Sequence, residues 1–221
     1  MGAGLRLYAD TAVRDDAARL LELGIFRGLT TNPLLLSRAG LGVEDLPTIV
    51  EWAVQLGAEE VFCQAWGTTA EDLVRRGEQL HALAPDTVAV KVPATRAGTE
   101  AAAALSSRGI PVLLTAVYSA PQAVLAAAAG CAYVAPYLGR MADAGRPAHE
   151  ETVAMHRLLT ALGATTRLLV ASIRTPADVV RLAREGVGCF ALQPVVAEAL
   201  FSDPLTRRAT EEFEQAALGS A

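Results

Sequence analysis

Lys91 is the only lysine in the chain, and it lies within the apolar run VAVKVP at residues 88–93. The other 18 of the 19 basic residues are arginines. An arginine keeps its charge, whereas a lysine among apolar neighbours has a pKa below the usual ~10.4 and presents a nucleophilic amine. Because an amine forms an imine with a carbonyl compound and a guanidinium does not, Lys91 is a candidate Schiff-base residue. The alternative is a lysine whose stem crosses the sheet surface to reach water.

Side-chain alternation along this run places Lys91 on one face with Ala89 and Pro93. The same alternation applied to the other apolar runs predicts an inward face that ends in a polar residue near the carboxyl end of each run. Polar residues favour strand ends individually. That preference does not explain why a carboxylate, an amine, a phenol, amides and hydroxyls should all lie at the same end of the predicted strands. The inward pairs are Asp10 above Tyr8, Asn32 above Thr30, Gln64 above Phe62, Thr115 above Leu113, Tyr137 above Ala135 and Ser172 above Val170.

The elements that would position these residues are eight short apolar runs separated by longer segments of helical pattern. We expect a single α/β domain over residues 1–221, a (β/α)8 TIM barrel with extra C-terminal helices, whose active site lies at the carboxyl ends of the strands. A doubly wound open sheet competes, but no glycine-rich phosphate-binding sequence follows the first strand. The predicted strands are 5–10, 28–32, 60–64, 88–92, 111–115, 132–137, 167–172 and 189–192, and the predicted helices are 12–23, 43–56, 69–83, 96–107, 121–129, 150–162 and 176–185.

An uncharged lysine at a barrel mouth suits class I aldol chemistry, in which an iminium withdraws electrons so that the neighbouring carbon–carbon bond can break. Such a reaction needs proton transfer during carbinolamine dehydration and during bond cleavage. Asp10, Tyr137 and a water held by Gln64 and Thr115 are the candidate groups for these steps.

A phosphorylated substrate would need cationic and hydrogen-bonding contacts at the same mouth. Arg140, three residues after Tyr137, can bind a phosphate together with Ser172. Arg174 is a second candidate, although a solvated surface charge explains it equally well. Thr30 and Asn32 are further candidate substrate-binding residues.

Composition and charge exclude several other classes of protein. A net charge of -5 argues against a nucleic-acid partner, and no uninterrupted apolar segment reaches transmembrane length. The odd number of cysteines predicts buried thiols in a reducing compartment, so a cytoplasmic protein is expected. Neither these residues nor the dispersed histidines predict a metal site or a Ser-His-Asp triad. The residues concerned are Cys63, Cys131, Cys189, His81, His149 and His156.

Six segments, in order along nearly the whole chain, resemble the transaldolase family, specifically its short branch that contains fructose-6-phosphate aldolase. They are LYADT at 7–11, GLTTNP at 28–33, VKVP at 90–93, LTAVY at 114–118, YVAPY at 133–137 and ASIRTP at 171–176. The resemblance implies a (β/α)8 barrel that needs no cofactor. It also implies a Schiff-base lysine at Lys91, an acid/base carboxylate at Asp10, a substrate-binding amide at Asn32, a water-holding pair at Gln64 and Thr115, and phosphate contacts at Arg140 and Ser172.

Within that family, transferases usually carry a glutamate on the third strand and a phenylalanine on the sixth, where this chain has Gln64 and Tyr137. The pair favours an aldolase that cleaves or forms fructose 6-phosphate or a related ketose from a dihydroxyacetone-type donor and an aldehyde such as glyceraldehyde 3-phosphate. A transaldolase, which transfers the dihydroxyacetone unit between sugar phosphates, is the alternative. A non-catalytic sugar-phosphate-binding barrel is a third possibility.

Three positions depart from the family pattern. Leu34 stands where serine is common, Leu114 where glycine is common, and Gly139 where asparagine precedes the arginine. These differences are expected to affect the acceptor pocket or the phosphate contacts.

The resemblance also implies a homo-oligomer, a pentamer or decamer, whose C-terminal helix reaches a neighbouring subunit. Residues 197–221 carry Phe201, Leu205 and Phe213 and are the expected extension. Its alternative role is to cover its own barrel.

Overall fold

A computed structural model of the chain describes residues 4–219. Within that range eight strands form one parallel sheet, β1 Arg6–Asp10, β2 Phe26–Thr30, β3 Glu60–Gln64, β4 Val88–Pro93, β5 Val112–Val117, β6 Tyr133–Pro136, β7 Arg167–Leu168 and β8 Cys189–Leu192. The strands are hydrogen-bonded in the order β7-β6-β5-β4-β3-β2-β1-β8. A bridge between Val170, just after β7, and Phe190 of β8 joins the two ends. The sheet is thus a nearly closed barrel, and the predicted fold is confirmed.

Helices follow the strands and surround the barrel, and further helices lie at the C-terminus. Thr69, Thr95 and Thr175 each begin a helix by accepting a hydrogen bond from a backbone N–H of the first turn. Across residues 4–219 no helix is both long and apolar enough to cross a bilayer. The helices are α1 Arg14–Leu21, α2 Pro33–Arg38, α3 Leu46–Gln55, α4 Ala70–His81, α5 Arg96–Ser107, α6 Ala120–Ala128, α7 Leu138–Asp143, α8 Ala148–Ala161, α9 Pro176–Arg184, α10 Pro194–Ala199 and α11 Pro204–Leu218, with a 3-10 turn at Val43–Asp45.

The barrel interior is a separate apolar cluster from the layer between strands and helices. Its centre is Phe62, whose ring lies edge-on to Tyr8 at 5.2 Å and to Tyr133 at 5.1 Å between ring centroids. Ala89, Leu113 and Ala135 are also interior, as the alternation predicted. The interior therefore forms a packed floor beneath the polar residues at the carboxyl ends of the strands.

The alternation was wrong on the seventh strand. Leu169 and Ala171 belong to the barrel interior, whereas Val170 packs in the outer layer with the helices. The cause is Ser172, whose φ of 58° lies in the left-handed region. Because a left-handed residue breaks the extended geometry, counting back from Ser172 in steps of two selects the wrong face.

A polar network closes the opposite end of the barrel. The Glu60 carboxylate accepts hydrogen bonds from the hydroxyls of Tyr8 at 2.5 Å and Tyr133 at 2.6 Å, and from Arg27 Nε at 2.8 Å. Burial raises the pKa of Glu60, but these hydrogen bonds outweigh it and hold the pKa below the usual value. Charge at this end is thus neutralised locally, and the polar groups are satisfied.

Other sequence-based expectations differ from the structure in detail. The second strand ends at Thr30 rather than at residue 32, so Asn32 follows the strand. The short helices α2 and α7 were not among the predicted helices. The three cysteines are free and buried, as expected, and burial raises the pKa of each thiol to about 12.

Candidate active site

Seven of the ten residues proposed from the sequence line one cavity at the carboxyl ends of the strands. The other three, Thr30, Gln64 and Thr115, lie immediately beside members of that set, as described below. The seven are Asp10, Asn32, Lys91, Tyr137, Arg140, Ser172 and Arg174.

Lys91 lies on β4 with only 4% of its surface exposed. Its Nζ donates a hydrogen bond to the carbonyl oxygen of Thr31 at 2.9 Å. Gln64 of β3 is its register partner on the adjacent strand. An amine held in this way among buried residues, with access to the cavity, meets the geometric requirement for attack on a bound carbonyl group.

Asp10 ends β1 and is 9% exposed. Its Oδ1 accepts a hydrogen bond from Thr30 Oγ1 at 2.6 Å. Burial raises the pKa of the Asp10 carboxyl, against the opposing effects of the Lys91 charge, the Thr30 hydrogen bond and the Arg140 charge. A carboxyl group with a raised pKa, close enough to an amine to interact with its charge, is suited to exchanging protons with it.

Tyr137 follows β6 and lines the same cavity. Its hydroxyl lies 2.9 Å from Thr115 Oγ1 on β5, within hydrogen-bond distance. Ala116, the residue after Thr115, has a left-handed φ of 57° and interrupts the β5–β6 pairing. This local irregularity ends the regular ladder directly beyond the hydroxyl pair.

Asn32 has a structural role as well as a position in the cavity. Its Oδ1 accepts hydrogen bonds from the backbone N–H groups of Leu34 at 3.0 Å and Leu35 at 3.1 Å, which caps α2. Because the carbonyl oxygen of the amide is used by the cap, the NH2 group is what remains to donate to a ligand.

The arginines near β6 and β7 differ in their partners. The guanidinium of Arg140 lies 5.0 Å from the centroid of the Tyr137 ring, in a cation–π contact. Arg174 Nη2 donates to Asp143 Oδ2 at 2.9 Å, and both side chains are more than half exposed. Such an exposed pair is weak, so a substrate anion can compete for Arg174.

Gly139 explains one departure from the family pattern. Its backbone N–H donates to the carbonyl oxygen of Ser172 at 2.8 Å, which joins the start of α7 to the segment after β7. A Cβ at this position would lie 2.5 Å from that oxygen and 2.6 Å from Arg174 Nε. The absence of a side chain is therefore what allows the Ser172 carbonyl and the Arg174 side chain to pack against the start of α7.

We expect Gly139→Ala to weaken binding of phosphorylated substrates, because the new methyl group must displace the Ser172 carbonyl or the Arg174 side chain. The KM for a phosphorylated substrate should rise about tenfold, on the scale of one lost charged hydrogen bond. Gly163→Ala is a control for the general effect of a methyl group on a glycine, since its Cβ has open space, although its left-handed φ of 59° adds local strain. An unchanged KM in Gly139→Ala would contradict this role.

The other two departures have different positions. Leu114 is fully buried in the layer between strands and helices, so it does not face the cavity. Leu34 lines the cavity and is 45% exposed. Of these two substitutions, only Leu34 can therefore touch a ligand directly.

Sequence reasoning missed four cavity residues, which are Leu35, Arg38, Ala171 and Gln193. Gln193 follows β8 and lies two positions after Ala191 of the barrel interior, so extending the alternation by one step would have found it. Leu35 and Arg38 are three residues apart on α2, a helix that the sequence analysis did not predict. Their spacing places them on one face of a helix, but this can be inferred only once the segment is known to be helical.

The fold and the cavity define a class of protein, a (β/α)8 barrel with a buried lysine beside a carboxyl group at the carboxyl ends of its strands. A solved structure of inosine 5'-monophosphate dehydrogenase from Legionella pneumophila is similar in fold, with a TM-score of 0.63 and 14% identity over 87% of this chain and 58% of that one. At this level of identity the similarity concerns the fold alone.

Sequence comparison gives the family. The family model described as Transaldolase/Fructose-6-phosphate aldolase matches residues 7–220. A protein named "Probable transaldolase" from Coprothermobacter proteolyticus is 36% identical over 213 residues, 95% of this chain and 94% of that protein. One with the same name from Rhodospirillum centenum is 36% identical over 212 residues, 95% and 89% of the two chains. The chain belongs to the transaldolase/fructose-6-phosphate aldolase family and is an enzyme of the Schiff-base aldolase/transaldolase type.

Proposed function

We propose that the protein is a class I aldolase that cleaves and forms fructose 6-phosphate or a closely related ketose through an imine on Lys91. The observation that carries the choice of a lyase is the Tyr137 hydroxyl, 2.9 Å from Thr115 Oγ1 in the wall of the cavity that holds Lys91. A phenol at this point supplies a proton-transfer group that a phenylalanine would lack.

In the first half of the proposed reaction, the Lys91 amine attacks C2 of the ketose and the carbinolamine loses water to give an iminium. Asp10, with its raised pKa, accepts the proton that the amine loses and returns it to the departing hydroxyl. The charge that develops on nitrogen is stabilised by the Asp10 carboxylate. The Thr31 carbonyl holds the amine in the cavity before reaction.

In the second half, the electrons of the C3–C4 bond move to the iminium nitrogen while the C4 hydroxyl gives up its proton and becomes an aldehyde. Tyr137 relays that proton through Thr115 or a water beside it. The enamine is then protonated at C3 and hydrolysed, which releases dihydroxyacetone and frees the amine. The net reaction converts fructose 6-phosphate to dihydroxyacetone and glyceraldehyde 3-phosphate. The water lost when the iminium forms is regained when it is hydrolysed.

A transaldolase remains the second candidate, because the relatives cited above carry that name. The two reactions share every step up to the enamine. They differ in what adds to C3 of the enamine, which is a proton in the lyase and a second aldehyde in the transaldolase. A polar Gln64 as register partner of Lys91 and the Tyr137–Thr115 pair favour a retained water that can deliver this proton, and hence the lyase.

Incubation of the purified protein with fructose 6-phosphate alone tests the proposal. Release of glyceraldehyde 3-phosphate without an added acceptor supports the lyase. Product formation only after erythrose 4-phosphate is supplied, with sedoheptulose 7-phosphate as the product, identifies a transaldolase instead. Saturable sugar-phosphate binding without turnover under either condition would identify a non-catalytic barrel.

We also propose that the C-terminal segment packs against a neighbouring copy of the chain. Helix α11 has no buried residue, and three large apolar side chains in or before it are exposed, Phe201 by 55%, Leu205 by 75% and Phe213 by 71%. Leu205 and Phe213 are eight residues apart, so they share one face of the helix. Such a surface normally contacts a partner, and the resemblance to ring-forming relatives supports the chain itself as that partner.

We expect the double substitution Leu205→Ser and Phe213→Ser to reduce the oligomer to smaller species, because both side chains would lose apolar burial at the interface. Molar mass measured by light scattering after size exclusion, at several concentrations, is the readout. Thr206→Ser and Thr210→Ser on the same helix form a control pair. A wild-type protein that is a monomer at every concentration would contradict the proposal.

A further inference from the structure

Three arginines line the active-site cavity although the chain as a whole carries a net charge of -5. Arg174 is paired with Asp143, and Arg140 stacks on the Tyr137 ring. Arg38 has neither kind of partner, since no side chain between residues 4 and 219 forms an ion pair, hydrogen bond or cation–π contact with it. A positive charge without a partner, placed where a substrate enters, adds to the attraction for anions.

Arg38 reaches this cavity from a different side. It is the last residue of α2, which follows β2, whereas Arg140 and Arg174 follow β6 and β7. In the observed strand order β2 and β6 are four strands apart, on opposite sides of an eight-stranded barrel. The cavity is therefore flanked by cationic groups from both sides of its mouth.

The local structure places Arg38 at the edge of the cavity. The Asn32 cap sets the start of α2, and Leu36 is buried at 2% exposure. With Leu36 directed into the protein, Leu35 and Arg38, three residues apart, are on the face that lines the cavity. Leu34 and Leu35 line the same cavity as Arg38.

We propose that Arg38 is a specificity-determining residue that binds the phosphate of the sugar-phosphate substrate from the β2 side of the mouth. The inference rests on the proposed function, because it assigns the substrate class of the same site. The phosphate is then held between the Arg38 guanidinium and the Arg140 and Ser172 groups across the cavity. Arginine is suited to this task because its planar group donates two parallel hydrogen bonds to phosphate oxygens.

The competing explanation is that Arg38 is a solvated arginine at a helix C-terminus, where a positive charge interacts favourably with the helix dipole. That role would affect stability slightly and substrate binding equally for all substrates. The two explanations therefore differ in the ratio of KM values between phosphorylated and unphosphorylated substrates.

The test compares wild type with Arg38→Gln, Arg38→Lys and the control Arg184→Gln, which removes an exposed arginine from the last turn of α9 at the other end of the barrel. KM is measured for synthesis from dihydroxyacetone with glyceraldehyde 3-phosphate and with glyceraldehyde. In Arg38→Gln the ratio of the phosphorylated to the unphosphorylated KM should rise about tenfold, as for the loss of one charged hydrogen bond. Arg38→Lys should recover part of the loss.

A second measurement does not depend on turnover. Inorganic phosphate is titrated into each protein by calorimetry, and binding should weaken about tenfold in Arg38→Gln but not in Arg184→Gln. If the wild-type protein shows no turnover but binds phosphate, the proposed function is overturned. If that binding also weakens in Arg38→Gln, Arg38 is still a phosphate-binding residue. An equal KM ratio and equal phosphate affinity in Arg38→Gln and wild type would overturn the assignment itself.

Discussion

Lys91→Arg should abolish cleavage of fructose 6-phosphate, with kcat/KM lower by about 10⁴-fold or more, the scale seen when a covalent nucleophile is removed. The substitution retains a positive charge and a long side chain at a buried position, but a guanidinium does not form an imine. Binding of the sugar phosphate should persist, because the proposed phosphate-binding residues Arg38, Arg140 and Ser172 all lie outside β4. The rate is measured by coupled detection of glyceraldehyde 3-phosphate.

Arginine is larger than lysine, and the Lys91 site is 4% exposed, so folding of the variant must be checked. Lys91→Met is the matched variant, because it retains an unbranched side chain without a nucleophile. Thermal unfolding followed by circular dichroism reports whether each variant retains the fold. Turnover within tenfold of wild type in a folded Lys91→Met or Lys91→Arg protein would contradict a covalent role for Lys91.

Asp10→Asn should lower kcat/KM by about 10²–10⁴-fold, the usual contribution of a positioned acid/base group. Its carboxylate form is needed to accept the proton released by the amine. Because burial raises the pKa of Asp10, wild-type activity should fall on the acid side at a pH above the usual aspartate value of ~3.9. In Asp10→Asn this acid limb should disappear along with most of the rate.

Stability distinguishes this catalytic role from a structural one. A carboxyl group whose pKa is raised by folding binds protons more tightly in the native state, so its contribution to stability decreases as pH rises from the usual pKa to the raised one. At a pH above the usual aspartate pKa, Asp10 therefore costs stability, and Asp10→Asn should melt no lower than wild type. A variant that loses activity only because it unfolds at neutral pH would contradict the account.

The sequence was most informative where a strong physical requirement acts on single residues. A sole lysine in a valine-rich strand predicted a residue that is buried and lines the cavity, and strict alternation correctly oriented Phe62, Leu113 and Ala135. The barrel itself followed from the regular repetition of strand and helix patterns. Side-chain alternation and the strand–helix repeat are patterns among residues close in the sequence. They hold in the folded protein because a tightly packed barrel interior requires regular strands.

Features that depend on irregular backbone escaped prediction. The left-handed φ of Ser172 shifted the alternation on the seventh strand, and nothing in its residue type indicates that conformation. Helix α2 is six residues long, too short for a periodic pattern, so Arg38 was not recognised as a cavity residue. The close approach of Gly139 to Ser172 and Arg174 depends on how α7 lies against the loop after β7, which is a tertiary contact.

Borohydride trapping is the most direct measurement of the central claim. Reduction of the protein in the presence of dihydroxyacetone should convert an iminium to a stable secondary amine, and peptide mapping by mass spectrometry should find one reduced three-carbon unit on Lys91. Because Lys91 is the only lysine, the amine at the N-terminus of the chain is the main competing site. An adduct on Lys91 that is absent from Lys91→Arg is the predicted result. No adduct, or an adduct confined to the N-terminal amine, would contradict the account.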